Sequence, residues 1–360
     1  MRKKKDKKKF IRKNIKITNL EINNLERFEE EEIIEEKRAE KKKIEKGAIS
    51  QKSGLKLKKG RILEIKTNYK CVVQIGENQT ICQLSGRLKQ INFETRSIVA
   101  VGDYVRVDFS NVALNEDPRI EEIMPRKNTL SRYFEENFQR KIIIAANIDE
   151  VIIISSVLQP DLKFGLIDRY ICAAEVFEIT PIVCINKIDL AEKLKEMKRK
   201  CEFYSENGYK IIFTSAKTGE GIDELKHVLK NKETVFSGHS GTGKSTLINL
   251  LQPGLNLKVS GISDSTRKGI HTTTNSRLIA WDFGGYLVDT PGIRTFGLNR
   301  ENKAKLPRLF PGFSKMYREC KFPNCTHTHE MICAVKEAVE NGSIPQKRYE
   351  SYLRIYDSLS

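Results

Sequence analysis

The stretch Gly238-His239-Ser240-Gly241-Thr242-Gly243-Lys244-Ser245 decides how this 360-residue chain is interpreted. Its glycine, four further residues and Gly-Lys-Ser are spaced as in a phosphate-binding loop. A strand-like run, 234–237, precedes the loop, and an apolar helical run, 247–251, follows it. Because glycines let backbone N–H groups face an anion at a helix N-terminus, we expect the loop to cradle phosphate oxygens. Lys244 is expected to neutralise the β and γ oxygens, and Ser245 to hold Mg²⁺.

Two short motifs upstream of this loop identify the base. Asn186-Lys187-Ile188-Asp189 and Ser215-Ala216-Lys217 each follow a predicted strand. Asp189 can accept hydrogen bonds from N1 and N2 of guanine, whereas adenine offers no matching pair of donors. The Lys187 stem is expected to lie over the ring, Asn186 to brace the neighbouring loop, and a backbone N–H of 215–217 to face O6. Each motif is weak alone, but together they predict guanine.

A third group of residues is suited to sensing the γ-phosphate. Asp289-Thr290-Pro291-Gly292 ends the predicted strand 286–288, so Asp289 can reach Mg²⁺ through water and the Gly292 N–H can contact the γ-phosphate. His271-Thr272-Thr273-Thr274 lies in a polar stretch typical of a loop that orders with GTP. Thr273 is the threonine expected to ligate Mg²⁺.

The residue that positions water is not obvious from the sequence. Many GTPases place a glutamine after the Asp-x-x-Gly motif, and this chain has Ile293 there. We therefore expect slow intrinsic hydrolysis. His271 is the internal candidate, since a neutral imidazole can accept a hydrogen bond from water. The alternative is a surface histidine with no chemical role.

The order of these motifs predicts a circularly permuted nucleotide-binding domain. The base-reading motifs come before the phosphate loop, whereas in an ordinary GTPase they follow it. The residues expected to contact GTP are Asn186, Lys187, Asp189, Ser215, Ala216, Lys217, Gly238, His239, Ser240, Gly241, Thr242, Gly243, Lys244, Ser245, Thr246, Asp289 and Gly292. Lys244 and His271 are the expected catalytic residues, with Ser245 and Thr273 on Mg²⁺.

The flanking sequence predicts two further domains. Alternating strand and helix patterns between 151 and 237 are typical of a mostly parallel sheet covered by helices. Before it, short runs between 55 and 109 separated by glycines indicate a five-stranded OB-fold barrel. Arg87, Lys89 and Arg96 are candidate phosphate contacts if this barrel binds RNA. A purely structural barrel is the alternative.

A cluster of metal-ligating residues lies near the C-terminus. Cys320, Cys325, His327 and Cys333 follow a C-x4-C-x-H-x5-C spacing. Thiolates and an imidazole in this arrangement match a closed tetrahedral zinc site, which would hold together a small helical domain whose own core is expected to be thin. His329 is the rival imidazole ligand. Reduced cysteines without metal are the other alternative.

Composition and charge limit the classes of partner that this chain is expected to bind. The formal net charge is +17, and residues 1–16 hold ten Lys or Arg against the single Asp6. A polyanion, most simply RNA, would match this charge, although the basic tail could serve solubility alone. No apolar stretch approaches the length of a membrane span, and the lysine-rich start is unlike a signal peptide. We therefore expect a cytoplasmic monomer with no membrane partner and with its cysteines reduced or metal-bound.

The expected organisation is multidomain, with five segments. They are a charged extension, disordered or helical, at 1–50, an OB-fold domain at 51–125, a basic linker at 126–139, a circularly permuted GTPase domain at 140–305 and a zinc-binding domain at 306–360.

Taken together, the motif order, the preceding barrel and the Cys-His cluster resemble the RsgA (YjeQ) family of GTPases that depend on the small ribosomal subunit. The resemblance implies GTP hydrolysis stimulated by the small (30S) subunit and a role in its late maturation, with rRNA contact. It places the family's switch histidine on His271 and its zinc ligands on the four residues named above. Lys268-Gly269-Ile270 stands where the family usually has Gly-Arg, and the 1–50 extension is longer than expected.

Two other functions fit parts of the pattern. One is a GTP-dependent RNA-binding checkpoint protein that does not act in ribosome assembly. The other is a phosphate-loop ATPase, which Asp189 disfavours. Because the permuted order attaches the C-terminal domain close to the γ-phosphate-sensing motif, we expect GTP to select the ribosome-bound arrangement and hydrolysis to release it.

Overall fold

The computed structural model describes residues 56–66, 70–90, 98–110, 112, 116–134, 137–255, 276–289 and 297–359. Several expectations concern residues outside these ranges: those for the 1–50 extension, Arg96, His271, Thr273 and Gly292.

The first described domain is a small barrel. Its strands are β1 (Leu57–Ile65), β2 (Lys70–Ile75), β3 (Asn78–Leu84), β4 (Tyr104–Asp108) and β5 (Arg119–Ile123), with the short helix α1 (Gly86–Gln90) after β3. The strand order β1-β2-β3-β5-β4 closes through β1–β4 pairing. Alternate residues such as Ile62, Val73 and Val107 are fully buried and fill the interior. The predicted five-stranded barrel is confirmed.

A two-stranded antiparallel ribbon follows the barrel, where the sequence analysis expected a basic linker. It consists of β6 (Thr129–Phe134) and β7 (Asn137–Ala146). Just before it, the Arg126 guanidinium donates to both carboxylate oxygens of Asp103, at 2.6 and 2.7 Å, and the Asp103 side chain is fully buried. This positive charge therefore fastens the connection to the barrel.

The central domain is built on parallel strands. They are β8 (Glu150–Ser156), β9 (Thr180–Asn186), β10 (Lys210–Phe213), β11 (Glu233–Gly238) and β13 (Tyr286–Asp289), in the order β10-β9-β8-β11-β13. β12 (Arg277–Ala280) pairs antiparallel with β13 and also with β1, so the sheet continues into the barrel. The strand that leads into the phosphate loop, β11, is thus interior.

Helices cover both faces of this sheet because its strands are apolar on both sides. They are α2 (Phe164–Val176), α3 (Leu194–Glu206), α4 (Ile222–Leu229) and α5 (Lys244–Leu251). Val151 and Ile153 face a core that includes residues of α2 and α3, and the alternate residues Ile152 and Ile154 face a core that includes residues of α4 and α5. This continuous burial is what a central parallel strand requires.

Four short helices form the C-terminal region. They are α6 (Leu306–Leu309), α7 (Ser314–Tyr317), α8 (Ala334–Glu340) and α9 (Gln346–Asp357). Phe310, Phe313 and Tyr352 are buried and belong to the same core cluster as α2 and α3. This region therefore completes its core by packing against the central domain, which the sequence analysis did not foresee. None of the described helices is both long and apolar enough to cross a bilayer.

A buried ion pair fixes α9 against the central domain. Arg348 Nη1 lies 3.1 Å from each carboxylate oxygen of Asp168 on α2, and both side chains are almost completely buried. The hydroxyls of Tyr204 and Ser351 donate to the same carboxylate, each at 2.7 Å. The guanidinium also lies 4.4 Å from the Tyr204 ring centroid and 4.6 Å from that of Phe164. Removing one partner would leave a charge stranded in the interior.

We expect Arg348→Met to lower the free energy of unfolding by about 3–5 kcal/mol, because the Asp168 carboxylate would keep its burial and lose its counter-ion. Urea unfolding followed by circular dichroism measures the change. The matched control is Lys200→Met, which breaks the exposed pair with Glu196 on α3 and should cost less than about 1 kcal/mol. Equal losses in the two variants would contradict a stabilising role for the buried pair.

Candidate functional site

The loops singled out in the sequence meet at one edge of the sheet. β8, β9, β10, β11 and β13 run parallel, so their carboxyl ends lie on the same side. Asn186 ends β9, Gly238 ends β11 and Asp289 ends β13. Ligands of open parallel sheets bind at this edge.

The phosphate loop needs glycine at its two ends. Gly238 has φ 155°, and a Cβ there would lie 2.4 Å from the Ile154 carbonyl oxygen. Gly243 has φ 89°, and a Cβ there would lie 2.4 Å from Asn186 Nδ2. Inside the loop, the Thr242 hydroxyl donates to the His239 carbonyl at 3.0 Å. α5 then begins at Lys244, so its N-terminus opens toward the loop.

The buried Asn186 side chain joins the phosphate loop to the base-reading loops. Its Nδ2 donates to the Thr242 carbonyl at 2.9 Å. Its Oδ1 accepts from the Thr214 hydroxyl at 3.2 Å and from the Ala216 N–H at 3.3 Å. One amide therefore holds three loops in register, which places the base-reading motifs beside the phosphate loop.

Asp189 is exposed at the end of this arrangement, and its carboxylate is oriented by a neighbour. The buried Ser215 hydroxyl donates to Asp189 Oδ1 at 2.6 Å, while Ser215 Oγ accepts from the Thr218 N–H at 3.1 Å. Sequence reasoning assigned only backbone to the serine and missed this contact. The adjacency of β9 and β10, with Ile185 opposite Phe213, is the signal that could have found it.

Lys187 leaves β9 in a left-handed conformation, with φ 61°. Its ammonium donates to the Gln159 carbonyl in the loop after β8. The Lys187 stem thus extends from the base-reading loop toward the segment that flanks the phosphate loop, where Pro160 Cδ would lie 3.4 Å from a Cβ at Gly241. The apolar methylene groups of the stem could pack here against one face of a purine ring.

Asp289 lies at the same edge with an ion-pair partner. Arg277 Nε on β12 is 3.2 Å from Asp289 Oδ2, and both side chains are about half exposed. A carboxylate at this edge supplies the kind of oxygen ligand that Mg²⁺ prefers.

The Cys-His cluster assembles as its spacing predicts. The ligand atoms of Cys320, Cys325, His327 and Cys333 all lie within 4.8 Å of one another. Sγ of Cys320 is 4.0 Å from Sγ of Cys333, and His327 Nδ1 is 3.3 Å from the latter. A tetrahedron with Zn–S bonds of about 2.3 Å has edges of similar length. The donor set therefore fits zinc, with His327 rather than the exposed His329 as its imidazole.

Neighbouring groups fix the orientation of these ligands. His327 Nε2 lies 3.3 Å from the Pro307 carbonyl, which favours a proton on Nε2 and leaves Nδ1 free to bind metal. The Tyr349 hydroxyl donates to the His327 carbonyl at 2.7 Å. Burial raises the pKa of the Cys325 thiol to about 12, so thiolates here need a cation to stabilise them.

Comparisons with known proteins agree with this geometry. The RsgA GTPase family model matches residues 123–299. The protein named Small ribosomal subunit biogenesis GTPase RsgA in Flavobacterium psychrophilum is 38% identical over 278 residues, covering 77% of this chain and 85% of the relative. Its namesake in Thermotoga maritima is 36% identical over 308 residues, covering 84% and 97%.

Solved structures show the same architecture. YjeQ from Thermotoga maritima superposes with a TM-score of 0.67 at 34% identity, covering 84% of this chain and 98% of that one. YloQ, described as a circularly permuted GTPase, gives 0.64 at 27% identity, covering 86% and 98%. The fold class predicted from the sequence is confirmed. On its fold, its site and these relatives, the chain belongs to the RsgA family of circularly permuted GTPases.

Proposed function

We propose that this GTP hydrolase binds the small ribosomal subunit, contacts its rRNA, acts in its late maturation and is stimulated by it. The proposal is supported by the names of its relatives, which are small ribosomal subunit biogenesis GTPases. The observation that carries the nucleotide part is the Asn186 amide, which draws the phosphate loop and both base-reading loops to one edge. A cytoplasmic monomer remains our expectation.

We assign the residues of the nucleotide site as follows. Asp189, oriented by Ser215, accepts N1–H and N2–H of guanine, and the Lys187 stem covers the ring. We assign the Ala216 N–H to O6; its hydrogen bond to Asn186 Oδ1 is long, at 3.3 Å, and can be shared with the base. The glycine-rich loop and Lys244 hold the phosphates at the N-terminus of α5.

The metal end of the nucleotide site involves residues on both sides of the phosphates. We propose that Ser245 and Asp289 hold Mg²⁺, Asp289 through water, with Thr273 as a further ligand. When bound, Mg²⁺ would neutralise negative charge on the phosphates. His271 is our candidate for orienting water, and Gly292 for contacting the γ-phosphate. Both lie outside the described residues, as does Thr273.

The Cys-His cluster is proposed to bind one structural zinc ion. Its four ligands leave no open coordination position, and its surroundings are aromatic: the rings of Phe313 and Tyr317 lie edge-on to His327, with centroids 5.5 and 5.7 Å away. A closed site of this kind stabilises a fold instead of activating water. The ion would therefore support the helices that pack on α2.

Guanine specificity is tested by Asp189→Asn. We expect GTP affinity to fall by about 10- to 100-fold, because an amide nitrogen cannot accept from the base. Xanthosine triphosphate should bind better than to the wild type, since xanthine carries a carbonyl in place of the amino group and the amide can donate to it. Competition against a fluorescent guanine nucleotide measures both. Asp223→Asn, an exposed carboxylate on α4, is the control and should change neither. An unchanged preference for GTP over ATP and xanthosine triphosphate in Asp189→Asn would contradict the assignment.

Zinc binding is tested by metal analysis of purified protein. We expect about one zinc per wild-type chain, with His327→Ala losing zinc and unfolding at lower temperature, because the buried thiolates lose their counter-ion. His329→Ala is the matched control and should retain the metal. Zinc retained by His327→Ala and lost by His329→Ala would reverse the ligand assignment.

Dependence on the small subunit is tested by GTPase assays. We expect purified small subunits to raise the hydrolysis rate about tenfold or more, because the bound partner would hold His271 and the attacking water in the geometry that hydrolysis needs. Large subunits serve as the control.

Cells expressing Lys244→Ala in place of the wild type should accumulate immature small subunits. Stimulation without that accumulation would favour the alternative, an RNA-binding checkpoint protein.

A further inference from the structure

Three charged residues lie side by side on three neighbouring strands. Arg277 on β12 is the register partner of Glu64 on β1 and also of Asp289 on β13. Directly opposite residues of antiparallel strands face the same side of a sheet, with Cβ atoms about 5 Å apart. Arg277 therefore stands between a barrel carboxylate and the carboxylate at the nucleotide edge.

Arg277 is paired with only one of these two carboxylates. A single contact, Nε to Oδ2 at 3.2 Å, joins it to Asp289, and the two side chains are 53% and 40% exposed. Within the described part of the chain, Glu64 has no ion-pair partner. One-point pairs at this exposure are weak and easily exchanged, unlike bidentate buried ones. The Arg277 side chain can thus form an ion pair with either Asp289 or Glu64.

The middle of the same barrel strand is held firmly. Arg61, three residues before Glu64 on β1, is almost fully buried and donates to the Glu233 carboxylate at the start of β11. Its guanidinium also lies 5.0 Å from the Tyr104 ring centroid and 5.1 Å from that of Tyr286. β1 is therefore anchored at its middle to the starts of β11 and β13, and its attachment nearer the nucleotide edge, at Glu64, is the adjustable one.

We propose that Arg277 and Mg²⁺ compete for the Asp289 carboxylate, and that Arg277 pairs with Glu64 when the metal side of the site is filled. The inference rests on the proposed Mg²⁺ role of Asp289. Arg277 is a positioning residue in this scheme. When the metal side of the site is filled, Arg277 exchanges Asp289 for Glu64 as its ion-pair partner. Metal and nucleotide binding thereby change a contact of β1 and, through β1, of the barrel.

The exchange follows from the charges in the row. A carboxylate that neutralises a guanidinium is less available to the hydration shell of a divalent cation, so Arg277 lowers the apparent affinity for Mg²⁺. Glu64 acts in the opposite direction, because it offers the displaced guanidinium a second partner. Removing the charge of Arg277 or of Glu64 must therefore change the Mg²⁺ concentration needed for nucleotide binding, and the two changes must have opposite signs.

The test measures the Mg²⁺ concentration that half-saturates binding of a fluorescent, non-hydrolysable GTP analogue to the full chain. We expect Arg277→Gln to lower this concentration by about two- to fivefold, the range open to an exposed ion pair. Glu64→Gln should raise it, and should have no effect in the Arg277→Gln background. Arg119→Gln breaks an ion pair of similar exposure in the barrel and is the matched control.

Asp289→Asn distinguishes a failure of the proposed metal role of Asp289 from a failure of the proposed competition with Arg277. If it leaves the Mg²⁺ requirement unchanged, the proposed metal role of Asp289 fails, and the inference fails with it. If it raises the half-saturating Mg²⁺ concentration while Arg277→Gln behaves as the wild type, only the competition is wrong. An effect of Glu64→Gln that persists without Arg277 would also overturn the exchange. Thermal unfolding of each variant confirms that the chains compared are folded.

Discussion

The nucleotide edge depends on one buried amide. Asn186 is the only link described between the phosphate loop and the loops after β9 and β10 in which a single side chain both donates and accepts. Its donor reaches Thr242, 56 positions later, and its acceptor reaches Ala216, 30 positions later. Because glycine at 243 is needed to let this amide approach, the phosphate loop and the base motif constrain each other. Permutation of the chain leaves this cross-link intact, since it depends on space and not on sequence order.

Much of the site could be predicted from the sequence because its chemistry is local. Glycines at fixed spacing indicate a backbone that must bend around phosphates. Thiols with an imidazole at short spacing indicate a metal site. The barrel could be predicted for a similar reason, since its strands are short, apolar on alternate residues and separated by glycines. In each case the informative residues lie close together in the chain.

The contacts that escaped prediction join residues that are far apart. Ser215 orients Asp189 from the neighbouring strand, and Arg348 meets Asp168 from 180 positions away. Arg277 carries no motif, and its place beside Asp289 follows only from the pairing of β12 with β13. The packing of the C-terminal helices against α2 and α3 was missed for the same reason. Burial against distant elements leaves no periodic trace in a short window of sequence.

The pairing of β1 with β12 has a consequence for biosynthesis. Arg61 on β1 and Glu233 on β11 are 172 positions apart, and β12 comes later still. While the chain is being made, the barrel can close on itself, yet the β1 edge that will receive β12 stays open until the second half emerges. Unpaired edges invite wrong partners, and distant pairings form slowly. The nascent protein must therefore carry an unfinished sheet through most of its own translation, and chaperone protection would matter most during that interval.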